Sequence, residues 1–166
     1  MSRLVALPVC AAVLTVAISC AGIAQANPPG PVSPPILELR LASDKPAPGF
    51  SAQRNFESRD QPAVLYLDST VVVSDADLVR ARTRSAPDGL VMELTLSDAA
   101  AARLRETTAN SIGKYMAVLA HGTFAGAATI MTSIPTRTSV NVGLTLPVAA
   151  ADTVRSRVAA RWPTRP

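Results

Sequence analysis

The spacing of apolar positions changes along this chain, and each change marks an element. From Leu90 to Leu96, the residues Leu90, Met92, Leu94 and Leu96 alternate with Val91, Glu93 and Thr95. A period of two predicts a strand with one buried face. Leu37, Leu39 and Leu41 alternate in the same way with Glu38 and Arg40, and Val140, Val142, Leu144 and Leu146 repeat the pattern. Ala63–Leu67 and Thr70–Val73 are rich in β-formers and read as two strands flanking a turn at Asp68-Ser69. Between Ala42 and Gln61 there is no period, and Pro46, Pro48 and Gly49 interrupt the run, which predicts a long loop.

Helical spacing appears in three places. Ser74-Asp75-Ala76-Asp77 fits a capping box before Leu78 and predicts a short helix to about Arg82. Ser97 or Asp98 caps a second helix running to Ile112, with Ala101, Leu104, Thr108 and Ile112 on one face and Gly113 as its stop. Pro147 opens a third, whose buried face is Val148, Ala151, Val154, Val158 and Trp162 and which Pro163 ends. Pro87-Asp88-Gly89 is a turn. Tyr115–Ala120 is a strand, His121-Gly122 a two-residue hairpin turn, and Thr123–Thr132 the returning partner. Leu94, Leu104, Ile112, Val118, Val142 and Val158 are the expected core. Strands separated by helices, with one hairpin inserted, indicate an α+β fold with an antiparallel sheet and helices packed on one face.

The first 26 residues change the picture of where this fold works. Arg3 is followed by a nearly continuous apolar run from Leu4 to Ile23, then by Ala24-Gln25-Ala26, the form of an export signal and its cleavage site. Two other readings stay open. Ala17-Ile18-Ser19-Cys20 is an imperfect lipoprotein box, which makes Cys20 a candidate lipidation site, and the run also approaches the ~20 residues of a spanning helix. All three readings put the folded part outside the cytoplasm, in the periplasm or on the outer face of the membrane. Asn27–Pro35 holds five prolines in nine residues and reads as a tether, leaving residues 36–166 as the folded domain. Both cysteines, Cys10 and Cys20, lie inside the candidate signal, so a cleaved chain has no thiol chemistry and no internal disulfide.

Charge and side-chain chemistry narrow the function by what they exclude. The chain of 166 residues carries a net +4 with acidic and basic residues intermixed, so no nucleic-acid partner is expected despite a pI near 9.7. His121 is the single histidine, and its place in a turn accounts for it. Glu93 and Glu106 stand alone, while Asp75, Asp77 and Asp98 sit at expected helix starts. No nucleophile elbow, phosphate loop or metal cluster is present in the pattern, which predicts a non-enzymatic protein without cofactor or metal. Lys114 is expected to cap carbonyls at a helix end, and Arg80, Arg82 and Arg84 to form a solvated cationic stripe. Aromatic residues are scarce, which argues against a carbohydrate platform.

One segment carries a family resemblance. Thr108, Asn110, Gly113 and Lys114, then the apolar strand Ala117-Val118-Leu119, then His121-Gly122, follow one another closely. This resembles the head of the large periplasmic domain of SecD, a subunit of the bacterial preprotein translocase. There a threonine and Asn-x-Gly-Lys precede an apolar strand ending in Leu-Asp-Gly. Leu37-Glu38-Leu39-Arg40-Leu41 is similar to the family's opening strand, and Leu144-Thr145 with Ala149 to the start of its last helix. Asn110, Gly113, Lys114, Gly122 and Thr145 are therefore the family-motif positions. His121 departs from the usual Asp, Gly126-Ala127-Ala128 stands for Ser-Ala-Pro, Val148 for a helix-start Glu, and the family's Gly-Gly pair is missing around Thr136–Thr138.

The resemblance implies a ferredoxin-like head that handles polypeptide through exposed strand edges, with the hairpin His121, Gly122 and Thr123 as candidate contacts. It implies a polypeptide or envelope-protein partner, with the export machinery as a further one. After residue 26 no apolar run approaches ~18 residues, so proton-coupled translocation through membrane helices is not expected of these residues. Membrane contact would come through an N-terminal anchor. The alternative is a dedicated envelope interaction or inhibitory module that binds one folded partner.

Overall fold

The computed structural model describes residues 33–55, 61–87, 89–135 and 139–163. The candidate export segment 1–26 with Cys20, and the tether as far as Val32, lie outside these residues, as do Asp88 and Thr136–Thr138. Eight strands and two helices follow in order. They are β1 (Leu37–Ser43), β2 (Ser51–Arg54), β3 (Val64–Ser74), β4 (Leu78–Ala86), β5 (Gly89–Leu96), α1 (Asp98–Ala109), β6 (Tyr115–Ala120), β7 (Thr123–Thr129), β8 (Ser139–Leu144) and α2 (Val148–Arg161). The α+β class is as the pattern implies. Its strands divide between two antiparallel sheets, ordered β2-β3-β1-β6-β7 and β4-β5-β8.

β5 shows why alternation is so reliable a signal. Leu90, Met92, Leu94 and Leu96 all point inward and are 1% exposed or less, while Glu93 faces solvent. They join Leu37 and Leu39 from β1, Val118 from β6, Leu104 from α1 and Val154 and Val158 from α2 in one main core. A smaller cluster of Ala42, Leu65, Leu67 and Ala117 lies on the other face of the five-stranded sheet.

Five expectations are corrected. The helix expected to reach Arg82 is a single 3-10 turn, Asp75–Asp77, followed at once by strand β4. The reason is pairing: β4 pairs with β5 from Leu78 opposite Leu96 to Ala86 opposite Gly89, with one register shift between Leu78 and Arg80. A full ladder outweighs a local helix signal. The two strands expected around Asp68-Ser69 are one eleven-residue strand, β3. The turn chemistry there makes a bulge. Arg40 pairs with Val71 but Ala42 with Leu67, and the Thr70 N–H donates to Asp68 Oδ1 at 2.9 Å. The expected loop 42–61 contains β2, which adds to the edge of β3.

Ile112 is 61% exposed because α1 ends at Ala109, which breaks the helical phase and turns Ser111 inward instead. Val148 is 77% exposed at the first turn of α2, while Ala151, Val154 and Val158 take the buried face.

The 3-10 turn ties both helices to the sheets. Asp77 accepts from the Ser74 backbone N–H at 2.8 Å and from Arg103 of α1 at 2.7 Å. Arg103 also donates to the Val72 carbonyl at 2.7 Å. Asp75 is buried and pairs with Arg161 of α2 at 2.8 Å, and Arg161 lies over the Trp162 ring at 4.9 Å. Burial works against a charged Asp77, yet the hydrogen bonds from Ser74 and Arg103 outweigh it and hold its carboxyl below the usual carboxylate range. A depressed folded pKa stabilises above the unfolded value near 3.8 and loses that stabilisation as pH falls through the folded one. Asp77→Ala is expected to cost about 1–2 kcal/mol at pH 7. Urea denaturation at a series of pH values should show the gap from the parent closing below about pH 4, and a gap independent of pH would refute the assignment.

Candidate functional site

The last strands of the two sheets, β7 and β8, face one another without pairing. They touch where the Thr145 N–H donates to the Ala125 carbonyl at 3.0 Å. Beyond that contact lies an open groove of about 570 Å3. Its walls are Ala125–Ala128 on one side and Val140–Thr145 on the other. Leu39, Met116, Val118 and Ile134 line it from below, all buried or half-buried. None of the described residues lining it carries an ionisable side chain.

Local sequence explains the shape. The β7 wall is made of Ala and Gly, so it is low, and Ala125 is an extra residue in the ladder. Val118 pairs with Gly126 while Leu119 pairs with Phe124. The bulge turns the Ala125 carbonyl outward to Thr145, and Gly126 accommodates it with φ 136°. Ile134, on the floor of the groove, is held by buried Thr108 of α1. The Thr108 Oγ1 donates to the Leu104 carbonyl at 2.8 Å and accepts from the Ile134 N–H at 3.0 Å. Chemically the groove offers apolar surface and strand-edge backbone groups. Among the described residues, no three His, Cys, Asp or Glu side chains gather as a metal site.

A family model described as SecDF, P1 head subdomain, matches residues 52–153. The chain belongs to the SecDF P1 head family. Among solved structures, SecDF described as a membrane component that enhances protein export superposes with a TM-score of 0.50 at 19% identity, over 74% of this chain and 61% of that one. SecDF in its super-membrane-facing form gives 0.51 at 21% identity, over 75% of this chain and 19% of that one. At such identity the likeness is one of fold. The chain matches about three fifths of the first structure's length and a fifth of the second's. No curated protein matches the chain.

The P1 head motif positions do not converge on one point. Asn110 follows α1, and Gly113, with φ 85°, donates its N–H to the Ile130 carbonyl at 2.8 Å. Lys114 does not cap the helix with its side chain, which is exposed and makes no hydrogen bond among the described residues. The chain turn puts its backbone to work instead, as the Ile130 N–H donates to the Lys114 carbonyl at 2.8 Å. Gly122 is at the opposite end of the β6–β7 hairpin, where His121 and Gly122 take φ 52° and 76°, a turn with both central residues left-handed. The His121 ring meets Arg157 of α2, whose guanidinium also donates to the Pro34 carbonyl at 2.8 Å. The His121 ring is thus engaged by the domain itself, Gly122 and Thr123 are exposed, and none of the three lines the groove. Thr145 does line it.

Sequence reasoning named Thr145 but missed Ala125, Ala127 and Gln61. The available signal was the run Ala125-Gly126-Ala127-Ala128, a strand with no branched side chain. Arg80, Arg82 and Arg84 fall on one exposed side of β4, away from the groove.

Proposed function

We propose that this P1 head protein works in the cell envelope as a non-enzymatic holder of extended polypeptide, associated with protein export. One observation carries the reading: an apolar groove with no ionisable side chain among its described lining residues, bounded by the edges of two strands that belong to different sheets. A polypeptide laid in it would gain backbone hydrogen bonds from the edges, and alternate side chains would reach the apolar floor. Such recognition tolerates varied sequence. Membership of the family, and the description of SecDF as a component that enhances export, support the same direction. We place the proposed contact at the groove and not at the expected hairpin tip, where Arg157 meets the His121 ring.

In this reading residues 1–26 direct export and 27–35 tether the head, with Cys20 as the lipid attachment if the anchored form is the mature one. No described helix is long and apolar enough to cross a membrane. In this reading the head binds chain without conducting protons. A second reading, a module dedicated to one folded partner, draws on the cations Arg80, Arg82 and Arg84 on the exposed side of β4, unpaired among the described residues.

Titration of the labelled protein with carboxymethylated, permanently unfolded α-lactalbumin, and with its folded form, separates the two. The expected result is binding of the unfolded form alone, with NMR shifts at Ala125–Ala128 and Val140–Thr145 and little dependence on salt. Equal affinity for both forms, or shifts confined to Arg80–Arg84, would replace the polypeptide reading with the dedicated-partner one.

A further inference from the structure

Two carbonyls of β7 accept hydrogen bonds from outside its hairpin. Ala125 accepts from Thr145, and Ala127 accepts from the side-chain amide of Gln61 at 3.1 Å. Gln61 itself is held in place. Its Oε1 accepts from Asn55 Nδ2 at 3.1 Å, and the Asn55 backbone N–H donates to the Ala63 carbonyl at 2.9 Å, closing the base of the β2–β3 connection. Both ends of the Gln61 amide are therefore committed, and the half-buried side chain lines the groove beside the strand edge.

We infer that Gln61 is a built-in cap on the β7 edge, a side-chain amide standing where the backbone N–H of an added strand would bind, and that incoming polypeptide must displace it. The chemistry matches. A primary amide donor and a peptide N–H are near equivalents as partners for a carbonyl, so the exchange trades one neutral hydrogen bond for another. An open edge invites pairing with any exposed chain, including a second copy of the same protein, and proteins commonly block such edges. Here the block is reversible, because the capping group lies at the end of a side chain and not on a fixed strand. Affinity is set by the surplus of a whole ladder over one displaced bond, which favours long extended segments over short ones.

The cap rests on the polypeptide reading for its competitor but not for its existence, so two measurements on the full chain separate them. Gln61→Ala removes the amide, and Gln61→Asn keeps it one methylene short of reach. Both should bind carboxymethylated α-lactalbumin roughly two- to tenfold more tightly than the parent, the worth of one neutral hydrogen bond. Both should also self-associate more strongly in sedimentation equilibrium, through the uncovered edge. Self-association without polypeptide binding in any form keeps the cap and sinks the polypeptide reading. Weaker binding by the variants, or no change in both measurements, overturns the cap.

Discussion

Leu104→Ala should lower the unfolding free energy by about 2–5 kcal/mol. Leu104 is 1% exposed on α1, inside the core that both sheets and both helices share. Truncation loses the burial of three carbon centres and leaves a cavity that a close-packed interior fills only in part. The site has little freedom to collapse. One turn on, Thr108 anchors the same helix to Ile134, and Arg103 beside it is bonded to Val72 and Asp77. The upper half of the range is therefore expected. Urea denaturation with an unchanged m-value measures it, and a loss below roughly 0.5 kcal/mol would mean that α1 does not seat on the core.

Gly89→Ala should be comparably damaging, at about 2–5 kcal/mol, for a different reason. Gly89 opens β5 with φ 138°, a backbone conformation that residues with a Cβ rarely adopt. A Cβ there would stand 2.5 Å from the Leu144 carbonyl oxygen, which is fixed backbone and cannot rotate away. Either β8 moves or β5 leaves its register opposite Leu144. Gly143→Ala is the matched control, since Gly143 has ordinary φ and open space around its Cβ position. Thermal unfolding should separate the two clearly, and hydrogen exchange at Leu144 and Thr145 should quicken in Gly89→Ala alone. Equal behaviour of the two variants would show that β8 yields to the methyl group at no cost.

Much of the fold was legible because burial writes a period into the chain. β5 could be read from Leu90 to Leu96, and β6 with its His121-Gly122 turn followed from a short apolar run ending in turn residues. α1 and α2 were visible in the spacing of Leu104 with Thr108 and of Val154 with Val158. Errors arose where local chemistry has more than one use. Ser74 and Asp77 look like a helix start, yet the ladder of β4 against β5 cuts the helix to one turn. Asp68 looks like a turn and makes a bulge, because a partner strand is present on that side.

The groove was not legible, and the reason is physical. Its walls come from segments far apart in the chain, around Leu39, Gln61, Gly89, Ala127 and Asn141. Its proposed contacts are backbone groups that every residue except proline provides. Ala125-Gly126-Ala127-Ala128 is informative only once β7 is known to be an edge. A site of acids or metal ligands would have left a residue pattern, and this one leaves mainly small side chains.

The way the chain enters the domain has a mechanical consequence. Pro34, whose carbonyl Arg157 holds, leads within three residues into β1. β1 is the middle strand of its sheet and is antiparallel to both neighbours, β3 and β6. Tension drawn along β1 from residue 33 would load two ladders of hydrogen bonds in shear, all at once, instead of peeling them apart one by one. In the tethered reading proposed above, a pull through residues 27–35 would fall on the element best placed to bear a load.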